Sequence, residues 1–243
     1  MPRLLVRPGQ FFFRYRNALF PAFILLAVVF ARPAWTFGNR EADLAVDLAG
    51  LLVVLVGQVL RGLSVGYDYI VRGGRNRRVY ADHLVTGGMF ALCRNPLYLG
   101  NALIFAGFAI IFHSTVVYLL GVPLVVLVYA TIIAAEEEFL RGKFGEAYEA
   151  YCRDVNRIWP RWGRFGEATK GMRFDWRKLV AKEHNTTFGW ILGVLLLEAW
   201  TEYRIAGGAF LDKPQVVVLG VLFALTTIAY ALVHAFKKAG AFS

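Results

Sequence analysis

The chain alternates between long apolar runs and shorter polar segments. Six of the apolar runs carry few charges and approach the roughly 20 helical residues needed to cross a bilayer core. We predict spans at 17–31, 44–60, 97–112, 116–135, 187–203 and 215–236. Inside a bilayer the backbone must satisfy its own hydrogen bonds, which favours helices. The pattern therefore predicts an all-α, polytopic membrane helix bundle with about six transmembrane helices.

Composition agrees with this prediction and excludes one class of partner. Of 243 residues, 58% are hydrophobic and 18% are charged, which is too apolar for an ordinary soluble domain. The net charge of +10 is typical of nucleic-acid-binding proteins as well as of membrane proteins. Here the basic residues flank the apolar runs, which favours contact with anionic membrane lipids. We therefore expect lipids as partners and no nucleic acid.

The positions of the basic residues predict the topology. Arginine and lysine collect in cytoplasmic segments of membrane proteins. Four basic segments follow this rule: Arg3, Arg7, Arg14 and Arg16; Arg72, Arg75, Arg77 and Arg78; residues 136–185; and Lys237 with Lys238. We expect a multi-pass protein with both termini in the cytoplasm.

The same pattern divides the chain into three parts. An N-terminal anchor span at 1–43 precedes a core at 44–160, and a cytoplasmic linker with two further spans follows at 161–243. In the core, aromatic and apolar residues recur at helical spacing after the fourth span: Phe139, Leu140, Phe144, Tyr148 and Tyr151. They predict one amphipathic helix on the cytoplasmic face.

Two polar clusters of opposite sign stand out in the core. Arg94 precedes Asn95 and Pro96, and proline in the first turn predicts that a helix begins there, with Asn95 as its cap. A helix start beside an arginine attracts an anion such as a carboxylate. The glycines at 87 and 88 allow a flat ligand to approach the backbone closely.

The second cluster consists of Glu136, Glu137 and Glu138, after a helical hairpin that turns near residues 113–115. About 35 mostly apolar residues separate the two clusters, so both are expected at one membrane surface. The glutamates suit an ammonium group or a pair of ribose hydroxyls. S-adenosylmethionine combines a carboxylate, an amine and a ribose. Each cluster alone also has a plainer explanation, a lipid anchor or a solvated helix end.

The motifs around these clusters resemble the isoprenylcysteine carboxyl methyltransferase and phospholipid methyltransferase superfamily. R-N-P-L-Y-L-G at 94–100 is similar to that family's R-H-P-x-Y-x-G, and L-V-T-G-G at 84–88 to its L-V-T-x-G. E-E-E-F-L at 136–140 and F-G-E-A-Y at 144–148 resemble its E-E-x-x-L and F-G-x-x-Y-x-x-Y patterns. The resemblance covers roughly residues 50–160.

This resemblance implies an integral membrane methyltransferase with S-adenosylmethionine as cofactor, bound at the cytoplasmic face under the amphipathic helix. It implies catalytic roles for Arg94, Tyr98 and Glu136. It also implies a cofactor pocket formed by His83, Leu84, Val85, Gly88, Phe90, Arg94, Asn95, Pro96, Leu97, Tyr98, Glu136 and Glu137. The acceptor is expected to be lipid-like or small and apolar, with Asn101 and Glu198 as substrate-contacting candidates.

Three positions depart from the family pattern. Asn95 replaces a histidine and removes a proton shuttle, and Phe90 replaces a tyrosine and removes a hydroxyl. Ile132 stands where prenylcysteine-specific members carry a substrate-binding arginine. The last departure weakens the assignment to prenylcysteine without affecting methyl transfer.

Other readings of the sequence stay open at this point. A reductase of the sterol-reductase type would use a nicotinamide cofactor. A non-enzymatic transporter or lipid-binding scaffold would use neither this cofactor nor S-adenosylmethionine. Cys93 and Cys152 are expected to be small apolar fillers, because no base neighbours them in sequence. No pair of histidine, cysteine or acidic residues has metal-ligand spacing along the chain, so no metal is expected.

Overall fold

A computed structural model of the protein describes residues 3–30, 38–67, 79–206 and 209–242. In these ranges the chain is helical and contains no strand beyond an isolated bridge between Cys93 and Asn156. The all-helical fold class is therefore confirmed. The predicted basic segment with Arg72, Arg75, Arg77 and Arg78, and residues 31–37 between the first two predicted spans, lie outside the described ranges.

Eight α-helices follow one another along the described chain. They are α1 (Val6–Phe30), α2 (Arg40–Tyr67), α3 (Pro96–Phe112), α4 (Val122–Phe144), α5 (Glu146–Asp154), α6 (Phe165–Ala168), α7 (Trp176–Ala206) and α8 (Pro214–Lys238). A 3-10 turn at Gly88–Ala91 precedes α3, and a π-helical turn at Val117–Gly121 leads into α4.

Three helical segments are long and apolar enough to cross a membrane: Glu41–Tyr67, Val117–Phe144 and Pro214–Lys238. The helix Pro96–Phe112 is apolar but shorter. By length and composition, the described residues thus provide three spans, and the count of six stays a prediction.

Two helix boundaries differ from the sequence prediction. Helix α1 begins at Val6, well before the predicted span at 17–31, so most of the basic segment that precedes this span is part of the helix. Helix α4 continues past its apolar run to Phe144, which places the three glutamates inside the helix. Charged residues such as Glu and Lys are good helix formers, so the end of the apolar run does not end the helix.

The predicted single amphipathic helix after the fourth span is wrong. Gly145 has φ +51°, a left-handed conformation that glycine adopts without strain, and it separates α4 from α5. The apolar stripe is divided at this point, with Phe139, Leu140 and Phe144 on α4 and Tyr148 and Tyr151 on α5. The change of direction brings the two tyrosines back towards the start of α3.

Small residues set the distance between α2 and α3. A Cβ atom on Gly100 would lie 2.8 Å from the carbonyl oxygen of Gly57, and one on Gly107 would lie 2.5 Å from that of Gly50. Both spacings exclude any larger side chain. Close backbone approach through glycine is a common way for apolar helices to pack. It aligns α2 and α3 over most of their length.

A similar close approach joins α1 to α4. A Cβ atom on Gly9 would lie 2.0 Å from the carbonyl oxygen of Thr131. One turn further along α1, Phe13 is buried against Val128 and Ile132 of α4. This packing fixes α1 beside the glutamate-bearing half of α4.

A buried ion pair joins α2 to α7. The Arg61 guanidinium donates to both carboxylate oxygens of Glu183 at 2.9 and 3.0 Å. Their side chains are 5% and 2% exposed. Arg61 also donates to Asn101 and, at 3.3 Å, to Thr186. The pair links the segment 44–160 to the C-terminal segment 161–243.

Removing Glu183 should destabilise the protein strongly. In the Glu183→Ala variant the Arg61 guanidinium stays buried without its carboxylate, which costs about 3–5 kcal/mol. The matched control is Glu138→Ala, because Glu138 and its partner Arg141 are both nearly half exposed. This variant should lose less than about 1 kcal/mol of unfolding free energy. Unfolding of the purified protein in detergent, followed by tryptophan fluorescence, measures both. Equal losses in the two variants would contradict the role given to the pair.

Candidate functional site

A cavity of about 740 Å³ opens among α1, α2, α3, α4, α5, α7 and the segment before the 3-10 turn. Its volume is in the range of small-molecule binding sites. Twelve of the residues predicted for the cofactor or the acceptor line it: His83, Leu84, Val85, Phe90, Arg94, Asn95, Pro96, Leu97, Tyr98, Asn101, Glu136 and Glu137. The two predicted clusters, distant in sequence, therefore meet at one cavity.

The start of α3 lies where it was predicted, but the side chain of its cap residue has a different partner. Pro96 occupies the first turn, and the Asn95 carbonyl accepts from the Leu99 amide at 3.0 Å. Asn95 is the N-cap residue, as predicted, but its side chain makes no capping bond. Its Nδ2 donates instead to the carbonyl of Arg157 at 3.1 Å. The side chain thus holds the loop after α5 against the start of α3.

Arg94 reaches the acidic cluster through Glu137. The Glu137 Oε1 atom accepts from Arg157 Nε at 3.0 Å and from Arg94 Nη2 at 3.4 Å. Arg94 Nη1 also donates to the Cys152 carbonyl at 3.1 Å. Two guanidinium groups share one carboxylate, which leaves excess positive charge. Within the described chain, Arg94 Nε and Arg157 Nη2 are buried N–H donors with no hydrogen-bond partner.

Glu136 belongs to a second polar group on the same wall. The Tyr98 hydroxyl donates to Glu136 Oε1 at 2.7 Å and accepts from Arg16 Nη1 at 3.3 Å. The Arg16 guanidinium lies 4.3 Å above the Phe13 ring. Sequence reasoning assigned Arg16 to the lipid surface. Its spacing of three residues from Phe13 and seven from Gly9 was the signal that it shares their buried helix face.

Helix α5 closes the cavity with two tyrosines. The Tyr151 hydroxyl donates to the Phe90 carbonyl at 2.6 Å. Burial raises the pKa of Tyr151 and of Tyr148 well above the ordinary value, and the Glu137 carboxylate adds to the shift at Tyr148. Both phenols therefore keep their protons at neutral pH.

Helix α7 supplies cavity residues that sequence reasoning missed. Lys182, Asn185 and Thr186 line the cavity, as does Arg61 of α2. A signal was present for Arg61, because an ionisable residue inside an apolar run usually serves a buried pair or a site. The α7 residues gave no comparable signal, since they sit in a charged stretch that resembles a solvated helix end.

Gly88 does not line the cavity. It is buried in the 3-10 turn with φ +53°, so its glycine is needed for the turn itself. The turn carries its neighbours Val85 and Phe90 to the cavity wall.

Glu198 lies in a different cluster, near the start of α2 and the end of α3. It interacts electrostatically with Asp43, Asp47 and His113. The His113 Nε2 atom is 2.8 Å from Asp47 Oδ1 and 3.4 Å from Asp43 Oδ1, and these three potential metal-ligand atoms lie within 4.8 Å of one another. Spacing along the chain did not reveal this group, because His113 is brought to the two aspartates only by the pairing of α3 with α2. The expected absence of a metal stays a prediction.

Comparison with known proteins supports the resemblance. The phospholipid methyltransferase family matches residues 46–147. A protein of Oryza sativa named "Probable protein-S-isoprenylcysteine O-methyltransferase" is 33% identical over 122 residues, covering 47% of this chain and 61% of that protein. The predicted resemblance to this superfamily is thereby confirmed.

Two further relatives carry names that refer to metal resistance. The cobalt-zinc-cadmium resistance protein CzcN of Cupriavidus metallidurans is 31% identical over 148 residues, covering 60% of this chain and 63% of that protein. The nickel-cobalt-cadmium resistance protein NccN of Alcaligenes xylosoxydans is 25% identical over 143 residues, covering 58% and 62%. The chain thus spans less than two thirds of the length of these curated relatives. No solved structure matches it.

Cys93, beside the site, should be unreactive. It is fully buried, and burial raises the pKa of its thiol from 9.0 to about 12. At pH 8 about one molecule in 10⁴ then carries the reactive thiolate. In a Cys152→Ser variant, N-ethylmaleimide should modify native Cys93 at least about tenfold more slowly than the unfolded chain, with the rate rising as pH increases. Mass spectrometry measures the modification, and equal rates before and after unfolding would contradict the prediction.

Proposed function

We propose, from the match of residues 46–147 to the phospholipid methyltransferase family, that this protein is an integral membrane methyltransferase. It uses S-adenosylmethionine and methylates a lipid-like or small apolar acceptor. One observation carries the proposal: Arg94 and Tyr98 at the start of α3 and Glu136 on α4 line a single cavity large enough for a small molecule.

The charges of the cavity wall fit a zwitterionic nucleotide. Arg94 and Glu137 line the cavity, Arg157 pairs with Glu137 from outside it, and Arg94 retains a buried N–H donor. The nearby start of α3 adds a partial positive charge. Glu136 lies on the same cavity with the Tyr98 hydroxyl as its hydrogen-bond donor. A carboxylate suits the first group, and an ammonium or a pair of ribose hydroxyls suits Glu136.

S-adenosylmethionine supplies a methyl group on a positively charged sulfur, which is transferred by in-line displacement. Arg94 binds the carboxylate, Glu136 binds the amine or ribose, and Tyr98 orients Glu136. Glu137 holds the guanidinium groups of Arg94 and Arg157 in place.

The remaining predicted residues line the cavity and surround the rest of the cofactor, including its adenine: His83, Leu84, Val85, Phe90, Asn95, Pro96 and Leu97. A carboxylate, a thiolate or a neutral amine is already nucleophilic. The protein therefore contributes mainly alignment and exclusion of water, for which α5 covers the cavity.

The proposal includes a membrane arrangement of six spans with both termini and the cavity on the cytoplasmic side. In support, α2, α4 and α8 expose large apolar side chains along their lengths, as lipid-facing helices do. The cofactor then enters from the cytoplasm and the acceptor from the bilayer.

The alternatives are less well supported. The family match and the methyltransferase name of the rice relative favour methyl transfer over a nicotinamide-dependent reductase. A non-enzymatic scaffold leaves the polar groups that converge on the cavity unexplained.

Ligand binding tests the proposed cofactor directly. S-adenosylhomocysteine, the demethylated product, should bind the purified protein in detergent and raise its melting temperature, whereas NADPH should not. Glu136→Gln removes the charge that holds the amine or ribose, so the dissociation constant should rise at least about tenfold, equivalent to about 1.4 kcal/mol. Isothermal titration calorimetry measures it.

The neighbouring Glu138→Gln variant is the matched control, because Glu138 is exposed on the same helix and does not line the cavity. It should bind S-adenosylhomocysteine as the wild type does. Failure of the wild type to bind S-adenosylhomocysteine, or stabilisation by NADPH alone, would overturn the proposed function.

A further inference from the structure

The cavity wall beside Tyr98 and Glu136 includes a cation from outside the matched family segment. Arg16 of α1 lines the cavity, and it precedes residue 46, where the family match begins. Its guanidinium lies 4.3 Å above the Phe13 ring, and its Nη1 atom is 3.3 Å from the Tyr98 hydroxyl. The methyltransferase motifs do not contain Arg16, although it contacts a residue of one of them.

The contact with Arg16 fixes the direction of the Tyr98 proton. A guanidinium has N–H donors and no acceptor atom, so the Tyr98 oxygen accepts from Arg16. The hydroxyl proton is then directed to the other neighbour, Glu136 Oε1, at 2.7 Å. A hydrogen bond to an ionised carboxylate is about twice as strong as one to a neutral carboxyl group. The arrangement therefore favours the ionised form of Glu136.

The surroundings of Glu136 otherwise oppose its charge. The residue is half-buried, and removal from water disfavours a carboxylate. Among the described residues, the ionisable groups that act on it are Tyr98 on α3, Arg16 on α1 and Glu137 on α4. The negative charge of Glu137 disfavours a second carboxylate beside it. Arg16 is the cation of this set, and a single hydroxyl oxygen separates it from Glu136.

The packing of α1 against α4 holds Arg16 in this position. Arg16 follows Phe13 by three residues and Gly9 by seven, so the three share one helix face. Gly9 approaches the backbone of α4, and Phe13 is buried against that helix. Arg14 lies on another face, where it is exposed and does not line the cavity.

We infer that Arg16 is a positioning residue that keeps Glu136 ionised and directed by the Tyr98 hydroxyl; the consequence for the cofactor rests on the proposed function. Arg16 acts through the hydroxyl and through its own charge. An ammonium group or a pair of ribose hydroxyls donates to its partner, so the proposed role of Glu136 requires a carboxylate. Helix α1 thereby contributes to the cofactor site from outside the matched segment.

Infrared spectroscopy of the protein without cofactor tests the charge state of Glu136. Arg16→Met keeps an apolar side chain over Phe13 and removes the charge and the donor. On acidification, the C=O stretching band of a protonated carboxyl group should appear at a pH at least about one unit higher than in the wild type, because loss of a nearby cation favours the neutral form. This part of the band should disappear when Glu136→Gln is added to Arg16→Met.

Two further variants are the controls for this titration. Arg14→Met removes an exposed arginine from the same helix and should titrate as the wild type does. Arg16→Lys keeps the positive charge and a donor, so it should restore most of the wild-type behaviour. Melting temperatures without ligand show that each variant is folded. An unchanged band in folded Arg16→Met, or a shifted band that persists after Glu136→Gln is added, would overturn the inference.

Binding of S-adenosylhomocysteine, measured by calorimetry across the same pH range, gives the consequence for the cofactor. Its dissociation constant should rise as Glu136 takes up a proton, and this rise should begin at higher pH in Arg16→Met. Midway between the two transitions, the variant should bind about threefold more weakly than the wild type. A purely structural role of Arg16 would weaken binding equally at every pH, which would contradict the inference.

The two measurements separate the inference from the proposed function. If the wild type binds S-adenosylhomocysteine but the infrared band does not move in Arg16→Met, the inference fails and the proposed function stands. If the band moves but the wild type does not bind S-adenosylhomocysteine, Arg16 controls the charge of Glu136 and the methyltransferase assignment fails.

Discussion

The geometry of the site depends on the sharing of one buried carboxylate by two arginines. Glu137 on α4 accepts from Arg94 before α3 and from Arg157 after α5. Breaking either bond would leave a charge in a poorly solvated interior, which is costly. The three segments are therefore held together, and the start of α3, the last turns of α4 and the tyrosines of α5 come to surround one cavity.

Helices outside the family match complete this cavity, and each is held by a specific packing device. Gly9 allows α1 to approach α4 closely, which places Arg16 beside Tyr98 and Glu136. The buried Arg61–Glu183 pair holds α7 against α2, and α7 adds Lys182, Asn185 and Thr186. The core motif is thus combined with cavity walls that lie outside the matched segment.

Much of the fold and of one side of the cavity could be predicted from the sequence. The apolar runs gave the helices, and proline at 96 gave the start of α3, because these depend on local rules. The amphipathic helix was predicted wrongly, because apolar spacing continues across Gly145 while the backbone turns there. Asn95 is the predicted cap residue, but its side chain bonds to the carbonyl of Arg157 instead of the helix, and no local pattern indicates that contact.

The sequence by itself determined that the chain is helical and apolar and that its motifs resemble a methyltransferase superfamily, because helix periodicity and short motifs are local properties. Only the tertiary structure decided that Arg94 pairs with Glu137 while Tyr98 pairs with Glu136, that Arg16 and α7 join the cavity, and that Glu198 lies elsewhere with Asp43, Asp47 and His113. These contacts join residues far apart in the chain. They are selected by the close packing of helices and by the need of buried charges and donors for partners, and neither is encoded at any single position.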